Sequence, residues 1–338
     1  MSLTRRAFAA SAALALATPA LAQKPKPLVI AHRGASGERP EHTAMAYRLA
    51  IAEGCDFIEP DLVVSKDGHL VDRHETEIGG TTDVASRPEF AKRRTAKIVD
   101  GERVEGWFAE DFTLAELKTL RARERLPQLR PGSAKYDGRE PILTFQEVVE
   151  IARSESRRTG RTIGVYPEMK HPSFLAAAGL PIEQRLADAL KAADLDSETA
   201  PVFVQCFEAA PLKTFRGLSK ARRVQLVDAS TPEMVSAEGL KAIASYAQGV
   251  GPNWALVLPT VDGALSLPTP LVAQAHELGL AVHPWTVRAE NAFLPKSLQR
   301  GTGPAAHGDA TTLLKALYAA GVDGVFSDFT ALAVAARG

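Results

Sequence analysis

The chain has 338 residues, 40 lysines and arginines against 40 aspartates and glutamates, and 45% apolar residues. That length holds one large domain or two ordinary ones, and the zero net charge excludes the global basic field that gathers nucleic acid or an anionic membrane surface. Any anionic ligand must therefore be held by a local cluster.

Residues 1–22, MSLTRRAFAASAALALATPALA, put Arg5 and Arg6 before an Ala/Leu-rich stretch that closes on the small-x-small triplet Ala20-Leu21-Ala22. This is the pattern of a cleaved export signal. The TRRAF start resembles a twin-arginine signal, with an ordinary secretory signal as the alternative, and either predicts a periplasmic or secreted protein. The apolar stretch is shorter than the roughly 20 residues a bilayer needs, and no later run qualifies, so no stable membrane insertion is expected. Removing residues 1–22 leaves 38 basic against 40 acidic residues. Cys55 and Cys206 are the only cysteines. Both stand on apolar strands, so buried free thiols are expected although the predicted compartment permits a bridge.

From residue 28 onward, short apolar and β-branched runs alternate with helical patterns: 28–32, 56–64, 162–170, 201–207, 222–228, 248–253, 280–287 and 322–328. Helical stretches are expected at 43–53, 145–157, 182–193, 209–219, 234–245, 267–278 and 309–320. Eight such units most economically close into a (β/α)8 TIM barrel. A doubly wound open sheet would need a glycine fingerprint at its first turn, which is missing. Residues 76–140, rich in charge, Gly and Pro, break the rhythm and read as an insertion after the second strand, with one helical stretch at 113–121.

In nearly every strand the apolar part comes first and a polar residue ends it: His32, Glu59 with Asp61, Glu168 with Lys170, Gln205, His283 with Trp285, Asp328. This is the end at which barrel enzymes carry their sites. Side chains two apart share a face, so Glu59 and Asp61 point together, as do Glu168 and Lys170. Asp67-Gly68 predicts a tight hairpin that returns 69–74 antiparallel to 59–64. With those two as the turn residues His74 lies opposite Asp61, and with the centre moved by one residue it lies near Glu59.

Three carboxylates at one mouth repel unless a cation sits among them, and oxygen ligands suit Ca²⁺ or Mg²⁺. His32 and His74 can exchange protons near neutral pH, while Arg33 and Lys170 can hold an anion. This set suits hydrolysis of a phosphate diester, with one imidazole deprotonating the attacking oxygen and the other protonating the leaving alkoxide. Gln205 is expected to hydrogen-bond within the mouth and Trp285 to cover substrate carbons. For His283, pocket lining and core packing stay open. His42 is read as packing or capping the next helix, His69 as exposed, and His171, His276 and His307 as non-catalytic, without acidic partners. Asp328 is read as capping the last helix or holding Lys170.

The motifs AHRGASGERPEHT, IEPDLVVSKDGHLVDRHE, GVYPEMKHP, VFVQCF, AVHPWTV and GVFSDF, in this order, resemble the glycerophosphodiester phosphodiesterase family, most closely its periplasmic branch. The resemblance implies a barrel of the phospholipase C-like phosphodiesterase type. It also implies metal-dependent hydrolysis of glycerophosphodiesters, deacylated phospholipids such as glycerophosphocholine or glycerophosphoethanolamine, to sn-glycerol 3-phosphate and an alcohol. By motif position His32 and His74 match the family's acid/base pair, and Glu59, Asp61 and Glu168 its metal ligands. Arg33 and Lys170 match phosphate contacts, and Glu41 is grouped with them as the residue that orients His32 or Arg33. The chain departs from the family in Glu75, where Asp is usual, and in Pro60 between two ligands. Two other readings are a lysophospholipase D or phospholipase C-like enzyme on acylated headgroups, and a phosphodiester-binding protein that cleaves nothing.

Overall fold

The computed structural model describes residues 26–338; the expected export signal lies outside them. Eight parallel strands form a closed ring. The first is Leu28–His32; the second runs as Phe57–Glu59 and Asp61–Val64; the third as Gly164–Val165 and Glu168–Met169. Phe203–Cys206, Arg222–Val227, Gly249–Pro252, Ala281–Val282 and Gly324–Ser327 complete the set. Pro60 and Pro167 have no N–H to give the ladder, and each interrupts its strand. Their carbonyls still accept from the next strand, Glu168 N to Pro60 O at 2.9 Å and Gln205 N to Pro167 O at 2.9 Å. Closure comes at the last strand, which pairs in parallel with the first (Leu28 with Gly324) and receives the seventh through Phe326 N to Pro284 O at 3.0 Å.

Helices follow the strands and cover the ring, near the expected bounds: Ala44–Glu53, Phe145–Thr159, Ile182–Ala192, Ala209–Leu218, Ala237–Ala244, Leu271–Glu277 and Ala310–Ala319. Their ends are written in the sequence. Thr144 and Glu147 form a reciprocal capping box at the start of Phe145–Thr159, and Gly160 ends it in the left-handed conformation. A final helix, Thr330–Arg337, follows the last strand. None of the described helices is long and apolar enough to cross a membrane.

Alternation along the strands sorts side chains into two environments. Val29, Ala31, Ile58 and Val165 face the helices in the main core, whereas Ile30, Phe57, Tyr166, Phe203, Val224 and Phe326 point inward and form a separate buried cluster on the barrel floor. The next inward residues toward the strand ends, His32, Glu59, Glu168, Gln205 and Leu226, line the mouth.

Residues 76–142 build a second small core on the hairpin, with Ile78, Phe90, Phe112, Leu117 and Leu120 packed on Val63 and Val71. The expected helix at 113–121 is a single capped turn, Leu114–Leu117. Sequence reading missed a hairpin, Thr95–Val99 with Glu102–Gly106, closed by Asp100-Gly101. Both its faces are largely exposed, so the apolar alternation that marks a half-buried strand is absent.

Candidate active site

The mouth holds a cavity of about 240 Å³ whose wall includes His32, Arg33, Glu59, His74, Glu168, Gln205, Phe207, Trp285 and Arg288. The sharp turn after the first strand builds one side. Gly34 sits at φ 84° with its α-carbon against the helix backbone, where a β-carbon would lie 2.7 Å from the Ala46 carbonyl carbon. That turn aims the Arg33 N–H at Glu59 Oε2 (2.7 Å), with the Arg33 guanidinium reaching Glu41 Oε2 (3.1 Å) and Asp61 Oδ2 (3.3 Å).

His74 arrives on the predicted hairpin, in a register between the two considered. Leu62 pairs with Asp72, and Lys66, Asp67 and Gly68 make a three-residue loop, so the ladder extends to put His74 opposite Pro60. The imidazole still reaches the carboxylate face, where its Nε2 lies 3.1 Å from Lys170 Nζ.

Glu59, Asp61 and Glu168 converge as expected, each offering an oxygen within 4.8 Å of the others. Burial and the neighbouring Asp61 and Glu168 push Glu59 well above the usual carboxylate range. Burial likewise raises Glu168, to about 7, against the pull of Lys170. Burial alone would raise Asp61 too, but the imidazoles and cations facing it, His74 and Lys170 first, hold it well below. Asp61 Oδ1 is buried without a hydrogen-bond partner. Three buried carboxylates, two of them resisting ionisation and one with an orphaned oxygen, fit a hard divalent cation.

Each of the two site histidines gives its Nδ1 to a carboxylate: His32 to Asp328 Oδ1 at 2.6 Å, His74 to Glu75 Oε1 at 2.5 Å. Arg130 and Arg288 keep Asp328 ionised well below its usual range despite burial, and His74 and Arg125 do the same for Glu75. An ionised carboxylate only accepts, so Nδ1 carries the proton on both rings and Nε2 is the accepting nitrogen, which on His74 already faces Lys170 Nζ. Burial and the Arg33 charge lower His32 to about 4; burial, Arg33 and Lys170 lower His74 as well. Both rings are neutral near pH 7.

Other expectations need correction. Asp328 neither caps a helix nor holds Lys170: it binds His32, Arg130 (2.5 Å) and Arg288 (3.0 Å), because barrel closure sets the last strand beside the first. Glu41 holds Arg33, one of its two expected partners, and not His32, and it stands behind Arg33 and Arg125 rather than in the cavity wall. His42 is no cap, since Thr43 takes that place; it is wholly buried between Asp61 (3.0 Å) and Asp72 (2.7 Å). Burial opposes its charge, but the two carboxylates prevail and raise its pKa, so it steadies the Asp61 oxygen that faces it. His171 and His276 do have acidic partners, Asp100 (2.7 Å) and Asp323 (2.8 Å), and neither is part of the cavity wall. His283 packs in the floor with Nδ1 2.8 Å from the Tyr166 hydroxyl.

Gln205 donates to Glu59 Oε1 at 3.0 Å. Trp285 donates its indole N–H to Gly251 O at 2.7 Å, which leaves only its ring for a ligand; Phe207 meets that ring edge-on at 5.4 Å. A β-carbon on Gly251 would lie 2.7 Å from Leu226 Cδ2, so the bare backbone is what lets Leu226 take its place in the wall. Cys55 and Cys206 are buried and free. Arg288, Phe207, Arg125 and Arg130 were not picked out by sequence. Phe207 stands two residues past Gln205, a position that inward alternation marks, whereas Arg288 is three past Trp285 and out of that period, and nothing in the sequence points to the other two.

The sequence model of the glycerophosphoryl diester phosphodiesterase family matches residues 32–332. A glycerophosphodiester phosphodiesterase of Arabidopsis thaliana is 38% identical over 91% of this chain and 85% of its own length. One from Haemophilus influenzae is 29% identical over 89% of this chain and 87% of its own. Among solved structures, a phosphodiesterase of Oleispira antarctica in complex with the product sn-glycerol-3-phosphate superposes with a TM-score of 0.61 at 22% identity, covering 92% of this chain and 96% of that one.

Proposed function

The chain belongs to the glycerophosphoryl diester phosphodiesterase family, and we propose that its barrel mouth hydrolyses glycerophosphodiesters by acid/base catalysis between His32 and His74 beside a divalent cation. The enzyme cleaves deacylated phospholipid headgroups to sn-glycerol 3-phosphate and an alcohol. The observation that carries the mechanism is the pair of imidazoles, each fixed through Nδ1 to a carboxylate, in one cavity with Arg33, Glu59 and Glu168, the last two clustered with Asp61.

Arg33 and Lys170 hold the phosphate, and its negative charge offsets the cations that, after burial, keep the imidazoles neutral, Arg33 for both rings and Lys170 for His74. One ring then takes a proton while the other accepts that of the attacking oxygen; the first returns its proton to the leaving alkoxide as the phosphorus–oxygen bond breaks. Glu59, Asp61 and Glu168 would hold the cation, which when bound withdraws charge from the phosphate oxygens. Oxygen-only donors favour Ca²⁺ or Mg²⁺, with Ca²⁺ preferred for its tolerance of irregular carboxylate sets. Trp285 lies over the glycerol carbons, and Gln205 orients Glu59. The cavity of about 240 Å³ suits a glycerophosphoryl unit better than one that still carries an acyl chain. The RR-containing leader supports export to the periplasm.

The test is release of sn-glycerol 3-phosphate from glycerophosphocholine before and after chelation, with Ca²⁺ and Mg²⁺ restored separately. Release restored by one ion supports the reading and names the ion. Turnover that survives exhaustive chelation would remove the cation from it.

A further inference from the structure

The carboxylates behind the two imidazoles come from distant parts of the chain, Glu75 after the hairpin and Asp328 after the last strand, yet both are held from one short stretch outside the barrel. Arg125 gives Nε and Nη2 to the two oxygens of Glu41 (2.8 and 2.6 Å) and Nη1 and Nη2 to the two oxygens of Glu75 (2.7 and 2.6 Å). Five positions on, Arg130 gives Nη2 to Asp328 (2.5 Å), Nε to Glu290 (2.6 Å) and Nη1 to the Ser36 carbonyl (2.9 Å). Neither arginine is part of the cavity wall. The stretch is braced from within, because Glu124 accepts from Leu126 N (2.8 Å) and from the Ser133 hydroxyl, and Arg130 N bonds Leu126 O (2.8 Å).

We propose that Arg125 and Arg130 are positioning residues through which the segment outside the barrel aligns both imidazoles. Arg125 acts on His74 through Glu75 and on Arg33 through Glu41; Arg130 acts on His32 through Asp328. The forked guanidinium fixes a carboxylate in plane as well as in place, and a point charge does not. Glu75 also gains a reason. Its longer side chain accepts from His74 Nδ1 while both its oxygens face Arg125. The two arms differ in redundancy, since Asp328 also binds Arg288, whereas Arg125 is the arginine that holds Glu75.

This inference rests on His32 and His74 being the acid/base pair, so both His→Ala variants belong in the same assay of glycerophosphocholine turnover. Arg125→Ala is expected to lower kcat about 10–100-fold and to raise KM, because Arg33 loses its brace as well. Arg130→Ala is expected to lower kcat less, with KM little changed. Millimolar guanidinium should restore part of the lost kcat in both. Arg94→Ala in the same segment, whose partner is the exposed Glu105, should match the parent. Parental kcat in a folded Arg125→Ala or Arg130→Ala overturns the proposal, as does a loss that guanidinium leaves untouched. If Arg125→Ala does not fold, Arg125→Lys keeps the charge without the fork and is expected to show the same kcat loss; parental kcat in it overturns the proposal equally. If His32→Ala and His74→Ala keep parental turnover, the acid/base assignment fails, whatever the arginine variants do.

Discussion

The floor and the mouth of the barrel are made by the same strands, two residues apart, and they differ in almost every physical respect. On the floor Tyr166 stacks on Phe203 at 5.0 Å and meets Phe326 edge-on at 5.0 Å, with Phe57 tilted against Phe203 at 5.4 Å. At the mouth the inward positions are acids, cations and imidazoles, and two of the three clustered carboxylates resist ionisation. One layer is at ease in the fold and the other is frustrated by it. The contrast predicts that floor residues govern stability and mouth residues govern chemistry at little or negative structural benefit.

The sharpest test of that division is His32→Ala and His74→Ala, each expected to lower turnover by about 10²–10⁴-fold with little change in melting temperature. A variant that keeps most of its activity would take its histidine out of the mechanism. Phe203→Ala should do the reverse, costing about 3–5 kcal/mol in denaturant unfolding while folded molecules keep their turnover. Intact stability there would mean that the floor does not carry the barrel.

Glu168→Gln probes the frustration itself. An amide can still accept from Lys170 and donate to Asp61, so without cation the melting temperature should hold or rise, while calorimetry shows divalent-cation binding weakened. A lower melting temperature with unchanged cation affinity would sink the idea that these acids are held at a structural cost. The smallest effect belongs to His283 on the floor, whose burial lowers it to about 4. Between its unfolded value near 6.5 and about 4 the unfolded chain binds the proton that the folded chain refuses, so stability falls as pH falls through that window. His32 and His74 add the same sign, and His283→Gln should reduce the slope without removing it; an unchanged slope would show that His283 does not contribute.

The carboxylates of the mouth were legible because they follow from period-two alternation along apolar runs: Glu59 with Asp61 and Glu168 with Lys170 share a face by spacing alone. His74 was reachable from the Asp67-Gly68 turn, although its partner in the ladder was not, since a three-residue loop and a two-residue loop differ by half a step in register. Asp328 was named but misread. Its role depends on which strands become neighbours when the ring closes, information that the local sequence around 322–328 does not contain. Arg125 and Arg130 were invisible for a stronger reason. They sit in a charged segment whose hairpin and short helical turns lack apolar period, and their partners lie 50 to 198 residues away.

The two imidazole arms also differ in the span of chain they need. His74 and Glu75 are adjacent, but His32 and Asp328 are separated by 296 positions and meet only where the last strand docks against the first. Bringing such distant segments together is among the slowest events in the folding of a chain. A refolding or nascent molecule can therefore own its hairpin, its acids and one complete arm while still lacking the other. Turnover, followed in time, would report the moment the ring shuts rather than the formation of any of its parts.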